Sequence, residues 1–252
     1  MTAPAPQPAA SPRVGVRLAS LFGQTGVITR ETTLGEASEP LYNEEASLIA
    51  GWADKRRMEF AAARRCARGA LAELGITDFP LLPGPDRAPI WPEQVVGSIT
   101  HTDGVASGYC GVAVASRSLA AGLGIDAEPR LPLPTELWPS ILDGEEKRAA
   151  LESDDPGECA RLIFSAKEAT YKAVYPTLGR FLDFPDVRIR LLRAQGLFVA
   201  EFKASVRAIA PAAGPLMGRF LIDHELILTG VLLPRSTSTT TQERLSPRAI
   251  PC

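Results

Sequence analysis

The sequence predicts an α+β fold, with helices and antiparallel strands in separate blocks along the chain. Three observations predict it. Apolar residues recur at three- and four-residue steps over 43–74, as they do on the buried face of a helix. Short apolar runs separated by turn residues follow each helical block, which is typical of antiparallel strands. The two kinds of segment do not alternate strictly, and this disfavours a doubly wound parallel sheet.

The elements of the first half follow one another in a simple order. The helical pattern over 43–74 stops at Gly75, a residue suited to a helix C-terminus. Residues 78–92 contain too many prolines and glycines for a helix or a central strand, so they predict a loop. Strands are predicted at 95–100 and 108–115, joined by a turn.

The second half begins with an apolar run at 119–125 that reads as another strand end. Helices are predicted at 143–153 and 158–175. The fold then closes with three predicted strand regions: 187–192, 197–202 and 219–233, the last with a turn at Asp223-His224. The ends, 1–12 and 235–252, are rich in proline, alanine, serine or threonine and are predicted to be disordered tails.

The composition of the chain excludes several classes of function. It has 252 residues, of which 45% are hydrophobic and 22% charged, as in ordinary globular proteins. A net charge of -2 provides no general basic field for nucleic acid. No apolar stretch is long enough to span a membrane, and the N-terminus lacks the pattern of a secretory signal. The four cysteines form no CxxC pair, so we expect a reduced, cytoplasmic protein.

Two acids lie two residues apart in the segment Gly124-Ile125-Asp126-Ala127-Glu128. In an extended chain, Asp126 and Glu128 point to the same side, where their charges repel unless a cation lies between them. Mg²⁺ is such a cation, and it favours carboxylates together with substrate phosphates. The alternative is a strand leaving the core with both acids solvated.

The segment 163–174 predicts a helix with one apolar face. Glu168 and Lys172 share the opposite face, and Lys167 flanks them. One interpretation is a surface ion pair of little consequence. The other is a third acid beside lysines that neutralise a phosphate leaving group.

A strand ends in hydroxyls and an imidazole at Ser98-Ile99-Thr100-His101, a combination that can bind phosphate. His101 as a turn residue bonded to its own backbone is the alternative. Upstream, the helix carries a basic run, and Arg87 lies in the loop that follows; these residues either grip phosphates or form a solvated face. The basic residues of the helix are Lys55, Arg56, Arg57, Arg64, Arg65 and Arg68.

Four motifs in this order resemble the 4′-phosphopantetheinyl transferase superfamily, and most closely its monomeric branch with the enterobactin and surfactin synthetase activators. They are 56–68, the Ile90-Trp91-Pro92 to His101 stretch, 124–128 and 164–173. The resemblance implies two similar α+β halves packed as a pseudo-dimer, with coenzyme A (CoA) in the cleft between them. Residues 13–123 would form the CoA-binding half, and 124–234 the half with the metal and the catalytic acids.

The resemblance also implies roles for single residues. Glu168 and Lys172 match the catalytic residues, Glu168 as the base that removes a serine proton. The implied metal ligands are Asp126, Glu128 and Glu168, and the implied CoA-binding residues are Arg56, Arg64, Arg87, Thr100, His101, Lys167 and Lys172. The loop before Trp91 departs from the pattern of some relatives, which have a lysine there; Arg87 is the candidate substitute.

The implied reaction transfers the phosphopantetheine arm of CoA to a serine of an acyl or peptidyl carrier protein, with Mg²⁺, or alternatively Mn²⁺, and releases adenosine 3′,5′-bisphosphate. The carriers would belong to fatty-acid, polyketide or nonribosomal peptide synthesis, including siderophores. For docking, the segment 131–148 offers Leu133, Leu137, Trp138 and Ile141, which alternatively belong to the core. The rival functions are a metal-dependent nucleotide phosphohydrolase and a non-catalytic CoA-binding module.

Overall fold

The structure, a computed structural model, describes residues 17–23, 25–35, 40–180, 182–209 and 214–235. The predicted tail at 1–12 and residues 236–252 of the second predicted tail lie outside these ranges. Across the described ranges, no helix combines the length and the apolar character needed to cross a membrane. Helices and antiparallel sheets make up the fold, which confirms the predicted α+β class.

The N-terminal elements form a three-stranded antiparallel sheet with a long helix packed on it. In chain order they are α1 (Arg17–Ser20), β1 (Ile28–Thr32), α2 (Asn43–Leu48), α3 (Asp54–Glu73), β2 (Val95–Thr102) and β3 (Tyr109–Ser116). The strand order is β1-β3-β2, and α3 packs mainly on β3 and β1. Strand β1 was not predicted, because its sequence Ile-Thr-Arg-Glu-Thr has little apolar alternation.

The predicted single helix at 43–74 was wrong in one respect. The chain leaves helical geometry between α2 and α3, where Gly51 lies and Ala53 is extended with ψ 146°. Glycine weakens a helix interior, and an extended residue cannot continue one. The predicted stop is confirmed, since Gly75 has a positive φ of 76° and the Leu71 carbonyl accepts the backbone N–H of Ile76 at 3.0 Å.

The C-terminal elements form a five-stranded antiparallel sheet with the order β4-β8-β7-β6-β5. Short 3₁₀ turns lie at Thr135–Leu137, Phe184–Asp186 and Arg193–Gln195. The remaining elements are β4 (Ala120–Pro129), α4 (Trp138–Ile141), α5 (Gly144–Leu151), α6 (Pro156–Leu178), β5 (Val187–Leu192), β6 (Leu197–Phe202), α7 (Ala204–Ile209), β7 (Leu216–Ile222) and β8 (Leu226–Pro234).

Helix α6 lies directly against the backbone of β4. A Cβ atom at Gly122 or Gly124 would collide with the carbonyl oxygens of Ala173 and Ala169, so only glycine permits this approach. On the neighbouring strand β8, the hydroxyl of Thr229 donates to the Ser165 carbonyl at 3.0 Å. These contacts fix how far along β4 the helix lies.

The two sheets meet where β2 runs beside β4. The hydroxyl oxygen of Ser98 accepts the N–H of Ile125 at 3.1 Å, and that of Thr100 accepts the N–H of Ala127 at 2.9 Å. Side-chain hydroxyls thus replace a backbone ladder at this junction, which we call the seam. The predicted division after residue 123 falls inside β4, which belongs wholly to the second sheet. The similarity of the two halves stays a prediction.

Candidate active site

The two acids of the 124–128 segment lie within β4, next to the seam. Asp126 is only 5% exposed, which overturns the interpretation that both acids are solvated. Its Oδ1 accepts a hydrogen bond from Lys172 Nζ of α6 at 2.8 Å, while its buried Oδ2 has no hydrogen-bond partner. Glu128 is partly buried two residues further on. Strand β4 therefore directs both acids toward α6.

Burial and mutual repulsion perturb the acids. Loss of solvent is the main reason that the pKa of Glu128 rises to about 7, and the charge of Asp126 raises it further. The same two causes, in the same order, raise the pKa of Glu168 on α6. Asp126 is thus electrostatically coupled to both glutamates. Two acids with raised pKa values beside a third are a common mark of a functional site.

Lys172 joins α6 to β4 at this point. Besides its bond to Asp126, its ammonium group donates to the Ile125 carbonyl at 3.1 Å. Its side chain remains partly exposed, with 28% of its surface accessible. The predicted surface ion pair with Glu168 is therefore replaced by an inter-element pair with Asp126, although Lys172 still lowers the pKa of Glu168 electrostatically.

Arg161 is a residue of this site that the sequence analysis missed. Its Nη1 donates to Glu128 Oε2 at 2.7 Å, and two further donors bind the Leu131 and Pro132 carbonyls. It anchors Glu128 to the chain after β4. The signal that would have found it is spacing, since Arg161 lies about two helical turns before Glu168 and so shares its face of α6.

Asp126, Glu128 and Glu168 have the donor atoms that a hard divalent cation prefers. All three supply carboxylate oxygens, and Asp126 Oδ2 is buried without a partner. Their present partners are cations, Lys172 for Asp126 and Arg161 for Glu128. Among the described residues, no three His, Cys, Asp or Glu side chains lie close enough together to form a ready metal cluster. A metal would therefore have to displace part of this ion pairing.

The predicted phosphate-binding group at the end of β2 adjoins the acids. His101 Nε2 lies 3.4 Å from Arg56 Nη1 of α3. Burial is the main cause that lowers the pKa of His101; Glu59 opposes it, while Arg56 and Lys172 reinforce it. The hydroxyl oxygen of Thr100 is buried in the seam. Positive groups from α3 and α6 thus converge on one imidazole.

The other two predicted arginines lie in different surroundings. Arg64 is buried, donates from Nε to the Leu81 carbonyl at 3.0 Å and stacks 3.6 Å from the ring centroid of Phe60. Its burial lowers its pKa to about 10. Arg87 is exposed in a tight turn with a positive φ of 67°. Arg64 therefore has a clear packing role. Arg87 lies on a loop whose Asp86 contacts Tyr175 of α6.

Lys167 does not face the acids. Its ammonium group is buried and donates to Glu146 and to two backbone carbonyls of the C-terminal half. A lysine has three donors, and all three are used. The contact of Lys167 with CoA phosphates stays a prediction, and it would require at least one of these donors to leave its present acceptor.

The segment after β4 divides between core and surface. Leu133, Trp138 and Ile141 are buried, as the core interpretation predicted. Leu137 is 44% exposed and Leu131 is 54% exposed, so these two remain available on the surface.

Comparison with known proteins agrees with this arrangement. The family model described as the 4′-phosphopantetheinyl transferase N-terminal domain matches residues 44–115, and that of the 4′-phosphopantetheinyl transferase superfamily matches residues 122–211. A 4′-phosphopantetheinyl transferase of Streptomyces mobaraensis is 42% identical over 73% of this chain and 71% of its own length. One of Mycobacterium tuberculosis is 38% identical over 75% of this chain and 85% of its own length.

A third relative, enterobactin synthase component D of Salmonella typhi, is 39% identical over 58% of this chain and 64% of its own length. The two family models match regions on either side of the seam, and the second contains all three acids together with Lys172. The chain therefore belongs to the 4′-phosphopantetheinyl transferase superfamily of enzymes.

Proposed function

We propose that the protein transfers the 4′-phosphopantetheine arm of CoA to a serine of an acyl or peptidyl carrier protein and releases adenosine 3′,5′-bisphosphate. The observation that supports this most is the meeting of three groups beside the seam. The acids of β4, the Glu168–Lys172 face of α6 and the His101–Arg56 pair adjoin one another there. Such a site has both the acids and the cations that a diphosphate substrate needs.

In the proposed reaction, Glu168 takes the proton of the serine hydroxyl, directly or through a water molecule. The serine oxygen forms a bond to the phosphorus of the pantetheine phosphate, and the bond from that phosphorus to the bridging oxygen breaks. The electron pair stays on the departing bisphosphate, whose charge Lys172 neutralises. A glutamate with a raised pKa is a stronger base than an ordinary one, which suits Glu168 to this step.

The remaining groups would hold CoA. Arg56 and His101 are the proposed contacts of its phosphates, because both project from elements that border the acids. Thr100, Arg64 and Arg87 are also proposed as contacts of CoA. Thr100 and Arg64 have structural partners as well, and Arg87 lies apart on its loop.

Asp126, Glu128 and Glu168 are the residues that would hold Mg²⁺ or Mn²⁺. The ion, when bound, would neutralise the diphosphate of CoA. Lys172 is partly exposed, and its ammonium group uses two of its three donors on β4, which leaves a third donor for a phosphate.

The carrier partner is proposed to dock beside the acids, on the segment after β4. Carrier proteins of this kind are acidic helical bundles. Leu131 and Leu137 supply exposed apolar contacts there. Arg130, which is paired with Glu158 in this structure, supplies a positive charge only if that pair opens.

The test is the intact mass of a small panel of apo carrier proteins after incubation with the protein, CoA and Mg²⁺. We expect one carrier at least to gain the mass of one phosphopantetheine. Glu168→Gln should lower the rate by about 100-fold or more, since a positioned base contributes that much. Glu152→Gln, an exposed glutamate at the end of α5, is the matched control and should transfer at the original rate.

Other results would favour the rival functions. Hydrolysis of CoA or a nucleotide without any carrier would indicate the phosphohydrolase. Tight binding of CoA that a chelator leaves unchanged, with no transfer to any carrier, would indicate the binding module. Full activity of the Glu168→Gln variant would refute the assignment of the base.

A further inference from the structure

One buried ion pair of the C-terminal half takes no part in the proposed chemistry. Lys167 and Glu146 are 3% and 2% exposed, and Lys167 Nζ lies 2.8 Å from Glu146 Oε2. Burying two charges is costly unless each has further hydrogen-bond partners. The further hydrogen-bond partners of Lys167 and Glu146 therefore indicate the role of the pair.

Each charge of the pair holds a different set of elements. Lys167 Nζ also donates to the carbonyl of Ile141, at the end of α4, at 2.7 Å, and to that of Phe184, just before β5, at 3.0 Å. Glu146 accepts the N–H of Asp143 on one oxygen and that of Ile189, on the edge strand β5, on the other, both at 2.7 Å. The pair thus ties α6 to α4, α5, β5 and the turn before it.

The position of the pair in the chain connects it with the proposed base. Lys167 directly precedes Glu168 on α6, but its ammonium group binds this separate set of partners and not Asp126. Glu168 and the tied turn line the same small cavity, of about 190 Å³, together with Tyr171 and Leu182. A movement of α6 relative to this turn would therefore change both the position of Glu168 and the width of the cavity.

We propose that Lys167 and Glu146 are positioning residues, which hold Glu168 and the 182–187 wall of its cavity in the geometry that the transfer step requires. The proposal rests on the proposed function of Glu168 as the base. It assigns to Lys167 no contact with CoA. The alternative, that Lys167 binds a CoA phosphate, makes the opposite kinetic prediction.

The experiment compares Lys167→Met, Glu146→Gln and the double variant with Lys147→Met, a matched control because Lys147 is exposed and adjoins Glu146. For Lys167→Met, we expect kcat at saturating CoA and carrier to fall about tenfold or more and the Kd for CoA to change less than about twofold. The Kd is measured by titration calorimetry with CoA alone.

The double variant separates positioning from simple stability. Removing one partner leaves an uncompensated buried charge, whereas the double variant leaves none. The amide introduced by Glu146→Gln keeps one oxygen acceptor, so the N–H of either Asp143 or Ile189 loses its partner. We therefore expect the double variant to recover only part of the thermal stability that Lys167→Met loses, while kcat stays low. If kcat recovers with stability, the pair is only structural and the proposal is overturned.

Two further outcomes keep the proposal distinct from the proposed function. A tenfold rise in the Kd for CoA with unchanged kcat would overturn it in favour of a phosphate contact. Failure of the original chain to modify any carrier would instead defeat the proposed function. In that case, amide hydrogen exchange still tests whether Lys167 holds the 182–187 wall. The proposal requires faster exchange over 182–187 in Lys167→Met and not in Lys147→Met.

Discussion

At the scale of single residues, the surroundings of Glu128 have opposing effects on its pKa. Burial and Asp126 raise its pKa to about 7, while its bond to Arg161 lowers it. The folded-state value lies above the ordinary 4.5, so the protein binds this proton more tightly when folded. The contribution of Glu128 to the free energy of unfolding therefore falls as pH rises from the ordinary value to about 7, and is constant above it.

The same pKa predicts how a divalent cation should bind. A carboxylate must lose its proton to ligate a metal. We expect the affinity for Mg²⁺ to increase between about pH 6 and pH 8, with release of a proton, and Glu128→Gln to remove most of this dependence. Calorimetry in two buffers of different ionisation enthalpy measures the released proton.

Arg161→Met provides a second measurement of the same feature. Without the guanidinium group, the pKa of Glu128 should rise further, so the increase in Mg²⁺ affinity should move to higher pH. An affinity that is the same at pH 6 and pH 8 in the original chain would show that Glu128 is not a ligand.

At the scale of elements, the contact of α6 with β4 determines the geometry of the site. Glu168 and Lys172 lie on α6, whereas Asp126 and Glu128 lie on β4. The helix packs directly on the backbone of the β4 glycines, with no side chain between. The contact has little tolerance, because the atoms opposite Gly122 and Gly124 are backbone carbonyls, which cannot rotate away as a side chain can.

Gly124→Ala should therefore destabilise the protein by about 1–3 kcal/mol or more, because α6 must move to admit the new methyl group. The measurement is urea unfolding followed by circular dichroism. Gly144→Ala is the matched control, since nothing lies near a Cβ there, and its effect should be below about 0.5 kcal/mol. Equal stability of the two variants would contradict the close contact.

Sequence reasoning predicted α6, the strands other than β1 and the two acids of β4, because each depends on local periodicity or spacing. It did not predict that the Lys167 ammonium group binds Glu146 and two backbone carbonyls, because these partners are distant in the sequence. It also missed β1, whose pairing with β3 is a long-range contact. The structural role of Thr100 was not predicted either, because a hydroxyl that accepts a strand N–H has no sequence signature; its contact with CoA stays a proposal.

At the scale of the whole molecule, the seam joins the two sheets through side chains. The hydroxyl oxygens of Ser98 and Thr100 take the N–H groups of Ile125 and Ala127, which lie on either side of Asp126. A buried N–H without an acceptor is costly, so these hydroxyls are needed wherever β2 meets β4.

Thr100→Val keeps the shape of the side chain and removes the acceptor for Ala127. We expect a loss of about 1–3 kcal/mol in the free energy of unfolding, and recovery of most of it in Thr100→Ser. Thr102→Val, on the same strand but only half-buried, is the control and should have a smaller effect. Denaturant unfolding measures the free energy of unfolding of the three variants. An unchanged value for Thr100→Val would show that the hydroxyl does not stabilise the seam.

The close contact of α6 with the glycine backbone of β4 also determines which segments could be exchanged between this chain and a relative. Because α6 meets β4 both at the glycine backbone and through the pairs Lys172–Asp126 and Arg161–Glu128, the two elements form one unit that can be kept whole while the region between them is exchanged. A chimera that takes 131–155 from a relative, and retains the glutamate at 146, should keep the distances between the acids on the strand and the acid on the helix. Differences between such chimeras would then reflect the exchanged segment, which contains both exposed and buried residues.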